Sequence, residues 1–109
     1  MAKTLNDIKE LVMIQAAEKG FGTTPEEISV PEKIALIHAQ VSSAYEGYRS
    51  KKMSGPWSLE DELAGAVMRI VHLCGVLKLD LEGAILKKYE ENKTRNWDWG
   101  KMNEKHSES

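Results

Sequence analysis

The chain has 109 residues and a mass of 12.2 kDa, which suits one domain and leaves no room for a second hydrophobic core. Its 15 basic and 17 acidic residues give a net charge of -2, so neither a nucleic acid nor a membrane surface is an expected partner. The single cysteine excludes an internal disulfide, and no apolar run approaches the roughly 18 residues of a membrane span. We therefore expect a cytoplasmic protein with one domain over residues 1–100 and a polar, disordered tail over 101–109.

The first predicted helix begins after Thr4, because its hydroxyl can cap the helix and Asp7 follows three residues later. Gly20 and Gly22 end this helix. They lack the strand and the third glycine of a phosphate-binding loop, so we interpret them as a helix end only. The segment 24–27 then predicts one capped helical turn.

The second predicted helix begins near Pro31 and ends at Arg49. It carries an apolar stripe of the kind that faces a core, made of Ile34, Ile37, Val41, Ala44, Tyr45 and Tyr48. A neighbouring stripe is small and polar and consists of Leu36, Gln40, Ser43 and Gly47. A loop over 50–57 follows, and we interpret its Trp57 as closing over the end of the bundle, with stacking on a nucleobase as the alternative.

The third predicted helix is capped by Ser58, with Asp61 in the answering position. Its long apolar face consists of Leu59, Leu63, Val67, Ile70, Cys74 and Leu77. Asp80 caps a fourth helix after a very short break. Proline occurs only beside breaks in the apolar pattern, and β-branched alternation is absent. The sequence therefore predicts an all-α fold, a compact bundle of four main helices.

Three segments carry a family resemblance: ALIHAQVSSAYEGYR, DELAGAVMRIVHLCG and LDLEGAILKKYEENKTRNWDWGK. Together they resemble the MazG-like all-α nucleoside triphosphate pyrophosphohydrolases, most closely the small single-domain house-cleaning subtype. The resemblance implies a MazG-like bundle that converts a (d)NTP, with Mg²⁺, into a (d)NMP and pyrophosphate. It also implies assembly as a homodimer or homotetramer, which the wide apolar helix faces favour independently.

Members of this family bind Mg²⁺ with an E-x-x-E pair on one helix and an E-x-x-D pair on the next, since carboxylates three residues apart share a helix face. Here Gln40 and Ser43 occupy the first pair, and Gly65 stands where the second pair has its Asp. Glu62 and Glu46 are the carboxylates left as metal ligands. Most of the charge that offsets dehydration of the ion is missing, so we expect weak Mg²⁺ binding at best.

On the fourth helix, Lys88, Asn92 and Arg95 keep the family's K-x-x-x-N-x-x-R pattern, whose spacings of four and three place all three residues on one face. The resemblance implies that they bind phosphate and sugar oxygens of the substrate. Without the resemblance, the same triplet is typical of a solvated helix face. Residues 99–101 resemble the basic stretch that members of the family have after this helix.

Three functions remain open on the sequence alone. The first is a nucleotide-binding protein with weak or lost Mg²⁺ chemistry. The second is an active pyrophosphohydrolase with a rebuilt metal site, and the third is a helical oligomerisation or interaction scaffold.

Two histidines suggest a transition-metal site: His38 on the second helix and His72 on the third, where the family has a further acidic residue. Hydrogen-bonded helix histidines are commoner than metal-binding ones. Cys74 lies on an apolar face without a neighbouring base, so we interpret it as a core residue.

Overall fold

The computed structural model describes residues 3–95, which form four α-helices and one short 3-10 turn. In chain order these are α1 (Leu5–Lys19), the turn Pro25–Glu27, α2 (Val30–Arg49), α3 (Leu59–Val76) and α4 (Leu81–Thr94). No strand occurs between residues 3 and 95, and the all-α bundle of four main helices is confirmed. The predicted tail 101–109 and the residues 99–101 lie outside the described range.

Local hydrogen bonds at the start of α1 match the prediction. The backbone N–H of Asp7 donates to Thr4 Oγ1 at 3.1 Å, and the backbone N–H of Thr4 donates to the Asp7 carboxylate at 3.0 Å. The backbone N–H of Thr4, followed by its hydroxyl, favours the ionised carboxylate and lowers the pKa of Asp7. At the other end, Gly20 has a left-handed backbone with φ 75° and ends the helix.

The start of α3 differs in one detail from the prediction. Ser58 is fully buried, and its hydroxyl accepts from the backbone N–H of Asp61 at 3.1 Å. The Asp61 carboxylate, however, accepts from the backbone N–H of Trp57 at 3.1 Å. The Trp57 side chain is 76% exposed, so the prediction that it closes over the end of the bundle is wrong for the single chain.

Within residues 3–95, the most extensive contact between two helices joins α2 and α3. Small residues bring these two helices close together. Ala44 and Gly47 are the buried residues of α2. A Cβ at position 47 would lie 2.6 Å from the backbone nitrogen of Leu59, so only glycine permits this approach. The contact with α3 therefore uses Gly47 of the small polar stripe, and Ala44 of the apolar stripe is buried one turn before it.

The larger apolar stripes lie mostly outside this contact. In α2, the side chains that remain exposed are Ile34, Val41, Tyr45 and Tyr48, and in α3 they are Leu63 and Val67. Their interpretation as core residues is wrong for the single chain, because the close packing of small residues turns them outward. Cys74 is buried as predicted, and burial raises the pKa of its thiol.

Helix α1 packs against α3, with Ala16 buried between them. A second connection runs through His72, which is buried, with its Nε2 2.8 Å from the backbone oxygen of Gly22. A carbonyl oxygen only accepts, so Nε2 donates this hydrogen bond. The interpretation of His72 as a hydrogen-bonded helix histidine is confirmed. The bond fixes the turn after α1 to the middle of the bundle.

Helix α4 begins as predicted, since the Asp80 carboxylate accepts from the backbone N–H of Gly83 at 3.0 Å. The backbone N–H of Asn6 donates to Glu82 at 3.0 Å and links α4 to the start of α1. All residues from 84 to 95 are exposed. No helix within residues 3–95 has both the length and the apolar composition needed to cross a membrane.

Candidate functional site

Gln40 lies at the centre of a chain of polar side chains between α2 and α3. Its Nε2 donates to Glu62 Oε2 at 3.1 Å, and its Oε1 accepts from Arg69 Nε at 2.7 Å. Glu62 is buried with 6% of its surface exposed, whereas Arg69 is exposed. The Gln40 amide therefore separates a buried carboxylate on one side from a guanidinium on the other.

Gly65 provides the space that Gln40 occupies. A Cβ at position 65 would collide with the amide nitrogen of Gln40 and would lie 2.8 Å from its Cδ. The two residues are therefore matched: the amide reaches Glu62 and Arg69 only because position 65 has no side chain. Two of the positions where the family resemblance expects acidic ligands thus form one complementary pair.

The acidic side of Gln40 faces a cavity of about 330 Å³, which we call the acidic cavity; it is lined by Ser43, Glu46, Gly47, Ser50, Lys52, Trp57 and Glu62. Both predicted metal ligands, Glu46 and Glu62, line it. Glu46 is exposed and forms an ion pair with Arg49 at 3.1 Å. Ser43 is also exposed, and offers a neutral hydroxyl where the family has a carboxylate.

The residues present do not match an Mg²⁺ site. A hard cation needs several oxygen ligands whose charge offsets its dehydration, but here an amide N–H points at the one buried carboxylate. Across residues 3–95, no three His, Cys, Asp or Glu side chains are grouped so as to hold a metal ion. His38 is exposed, and His72 already donates to Gly22.

The basic side of Gln40 faces a second cavity of about 460 Å³ between α1, α2 and α3, which we call the basic cleft. Its lining residues are Val12, Gln15, Ala16, Phe21, Lys33, Gln40, Gly65, Met68, Arg69 and His72. Lys33 and Arg69 supply two cations, and this lining contains neither Asp nor Glu. Within residues 3–95, neither cation takes part in an ion pair. The cleft has the size of a small-molecule site.

The predicted substrate residues of α4 lie apart from both cavities. Lys88 and Asn92 are exposed on the helix, one turn from each other. Arg95 is the residue that follows the last helical residue and has extended backbone, with φ -80° and ψ 138°. The ψ angle redirects only the chain after Arg95, and a φ of -80° is close to the helical value. That Lys88, Asn92 and Arg95 share one face therefore stays a prediction. Neither cavity is lined by an α4 residue.

Three residues supply the positive charge and the aromatic surface of the basic cleft, and none of them was predicted from the sequence: Phe21, Lys33 and Arg69. A signal for Arg69 was available, since it lies seven residues after Glu62 and four after Gly65 and therefore shares their helix face. Lys33 and Phe21 carried no comparable signal, because the cleft brings them together from separate elements.

Comparisons with models of protein families, with curated proteins and with solved structures found no match.

Proposed function

We propose that this protein is a MazG-like nucleotide-binding protein in which Mg²⁺-dependent hydrolysis of a (d)NTP to (d)NMP and pyrophosphate is weak or lost. The single observation that carries the proposal is the Gln40 amide bound between Glu62 and Arg69. The family resemblance supplies the identity of the ligand as a nucleoside triphosphate.

Loss of hydrolysis follows from the chemistry of the reaction. A metal ion polarises the phosphate chain and activates water in phosphoryl hydrolysis. The Gln40 amide N–H already occupies Oε2 of Glu62 and offsets part of the negative charge with which this carboxylate would hold a cation. Among residues 3–95, Glu62 is the one buried carboxylate, so the described part of the chain offers a poor site for a metal ion that activates water.

Binding of the nucleotide depends on different residues and can persist without hydrolysis. Replacement of acidic side chains by Gln40 and Ser43 removes repulsion between the protein and bare phosphate. Cations are available in the basic cleft, and the resemblance adds Lys88 of α4 and Arg95, which directly follows α4. A triphosphate without Mg²⁺ carries about four negative charges, so we expect modest affinity that falls as salt concentration rises.

One experiment measures binding and hydrolysis side by side. A panel of canonical and modified dNTPs is titrated in EDTA, and pyrophosphate release from the same panel is followed with Mg²⁺ and with Mn²⁺. The proposal expects binding in EDTA and very slow release with either metal. Rapid release would favour the active enzyme with a rebuilt metal site, for which Glu46 and Glu62 share the acidic cavity. Absence of any binding would favour the interaction scaffold.

We further propose that the chain assembles with copies of itself, as a homodimer or a homotetramer. The observation behind this proposal is the exposed apolar face of α2, which includes Val41, Tyr45 and Tyr48 at 50–60% exposure. Exposed apolar side chains also occur on α4, at Ile85, Leu86 and Tyr89. Exposed apolar faces of this kind mark interaction sites, and a symmetric second copy covers such a face on both chains at once.

A further inference from the structure

We infer that the basic cleft, rather than α4, is the binding site, and that it takes an organic anion without a metal ion: a phosphate against Arg69 and Lys33 and a flat apolar group against Phe21. The inference rests on the proposed function for the ligand's identity as a nucleotide. Its geometric basis is independent of that identity.

The charge distribution on the two sides of Gln40 supports an anion in the cleft. The chain carries a net charge of -2, yet the lining of the cleft holds two cations and no carboxylate. Glu62 lines the other cavity instead, and the Gln40 amide stands between it and the cleft. Both charged side chains that line the cleft are therefore positive, in a molecule whose overall charge is negative.

Arg69 is oriented by its contact with Gln40. The bond from Nε to Gln40 Oε1, at 2.7 Å, restrains the guanidinium plane. It uses one of the five N–H donors of the arginine, so the two terminal nitrogens remain available for a bidentate contact. Such contacts match the oxygens of a phosphate and are charge-assisted. A guanidinium held in this way supplies positive charge in a structure whose residues 3–95 hold no group of metal ligands.

The apolar part of the cleft lining suits a flat apolar group. Phe21 lines the cleft with 55% of its surface exposed, and Val12 and Met68 add apolar surface beside it. The turn that carries Phe21 is held in place, since His72 donates to the adjacent Gly22. Gly22 itself has φ 99°, and a Cβ there would lie 2.8 Å from Ile28 Cγ2. An aromatic ring carried on this restrained backbone offers a stacking surface for a nucleobase or a phenyl ring.

The test uses the full chain labelled with ¹⁵N, in EDTA, and follows amide shifts and the Arg69 Nε–H resonance during titration. Two probes are used: the four canonical dNTPs, and phenyl phosphate as an organic phosphate that is not a nucleotide. We expect both to shift Phe21, Gly65 and Arg69. Arg69→Gln and Lys33→Gln should each weaken dNTP binding about tenfold or more, since each removes a charge-assisted contact. Lys19→Gln, a charge-matched change in the last turn of α1 and outside the cleft, should leave binding unchanged.

The outcomes separate the inference from the proposed function. Shifts at the cleft with phenyl phosphate but not with any dNTP would support the inference and overturn nucleotide binding. Shifts with dNTPs confined to Lys88, Asn92 and their neighbours would support nucleotide binding and overturn the inference. Absence of shifts with either probe would overturn both. The Arg69→Gln spectrum must retain the wild-type dispersion, which shows that the variant is folded. The second variant is Arg69→Lys, which keeps the charge but loses the planar fork.

Discussion

Gly65→Ala is expected to destabilise the wild-type protein but to stabilise a variant that lacks the Gln40 amide. In the wild type, the new methyl group collides with the Gln40 amide. Gln40 must then swing away and give up its bonds to Glu62 and Arg69. In a Gln40→Ala background no amide is present, so only the backbone effect of replacing a helical glycine remains.

The two contributions have different magnitudes. Replacing glycine by alanine inside a helix stabilises it by about 1 kcal/mol. Losing a hydrogen bond to a buried carboxylate costs about 1.5–3 kcal/mol. The free energy of unfolding should therefore fall by about 0.5–2 kcal/mol in the wild type and rise by about 1 kcal/mol in the Gln40→Ala background. The coupling between positions 40 and 65 should be about 1.5–3 kcal/mol.

Urea unfolding of the four proteins, at one fixed protein concentration, measures this double-mutant cycle. The sign of the Gly65→Ala effect should reverse between the two backgrounds. If Gly65→Ala stabilises both proteins equally, position 65 does not depend on Gln40. The description of these residues as a matched pair would then be wrong.

Three further predictions concern assembly, activity and acid stability. Light scattering at micromolar concentration should give a dimer or tetramer mass, and Tyr45→Lys in the exposed face of α2 should lower it; a wild-type monomer would refute self-assembly. Pyrophosphate release by the wild type with Mg²⁺ should be very slow, and it should become faster when three acidic ligands are restored together by Gln40→Glu, Ser43→Glu and Gly65→Asp. Robust turnover by the wild type would contradict the ligand assignment. The pKa of Asp7 is lower in the folded chain than in the unfolded chain. Its contribution to stability is therefore fully present at pH values above the unfolded pKa and is lost as the pH falls through the folded pKa. In urea unfolding between pH 7 and pH 2, Asp7→Asn should reduce the stability that is lost on acidification, because it removes the carboxylate whose ionised form the Thr4 backbone N–H favours. An unchanged pH dependence would count against the capping box.

Local signals in the sequence predicted the helices well, because each is decided by a few neighbouring residues. Thr4 with Asp7, Ser58 and Asp80 all cap the helices that they were expected to cap. The glycine at position 20 ends α1 as its left-handed backbone requires. Such signals depend on hydrogen bonds within three or four residues and need no knowledge of the fold.

Helix faces were predicted less well, because the choice of buried face depends on a partner helix. In α2, apolarity favoured the stripe that includes Val41, Ala44 and Tyr45, but only Ala44 of that stripe is buried, and Gly47 of the small polar stripe packs against α3. Close approach of two backbones favours small residues over large ones. Periodicity alone does not report how closely two helices approach, so the sequence could not decide between the two stripes.

The candidate site was predicted in part. The substitutions at Gln40 and Gly65 were visible in the sequence, but their contact with each other was not, since it requires the packing of α2 on α3. Arg69 was missed because the family pattern directed attention to carboxylates. The basic cleft combines residues from three helices and a turn, and no spacing rule on a single segment could assemble it.

Calorimetric titration of the wild-type protein with the dNTP panel, once in EDTA and once with excess Mg²⁺, tests most directly the claim of metal-free nucleotide binding without turnover. We expect at least one dNTP to bind in EDTA as tightly as with Mg²⁺, with affinity falling as salt rises. We also expect no heat of hydrolysis when the metal is present. Binding that requires Mg²⁺, or continuing heat release that accompanies pyrophosphate formation, would contradict the account.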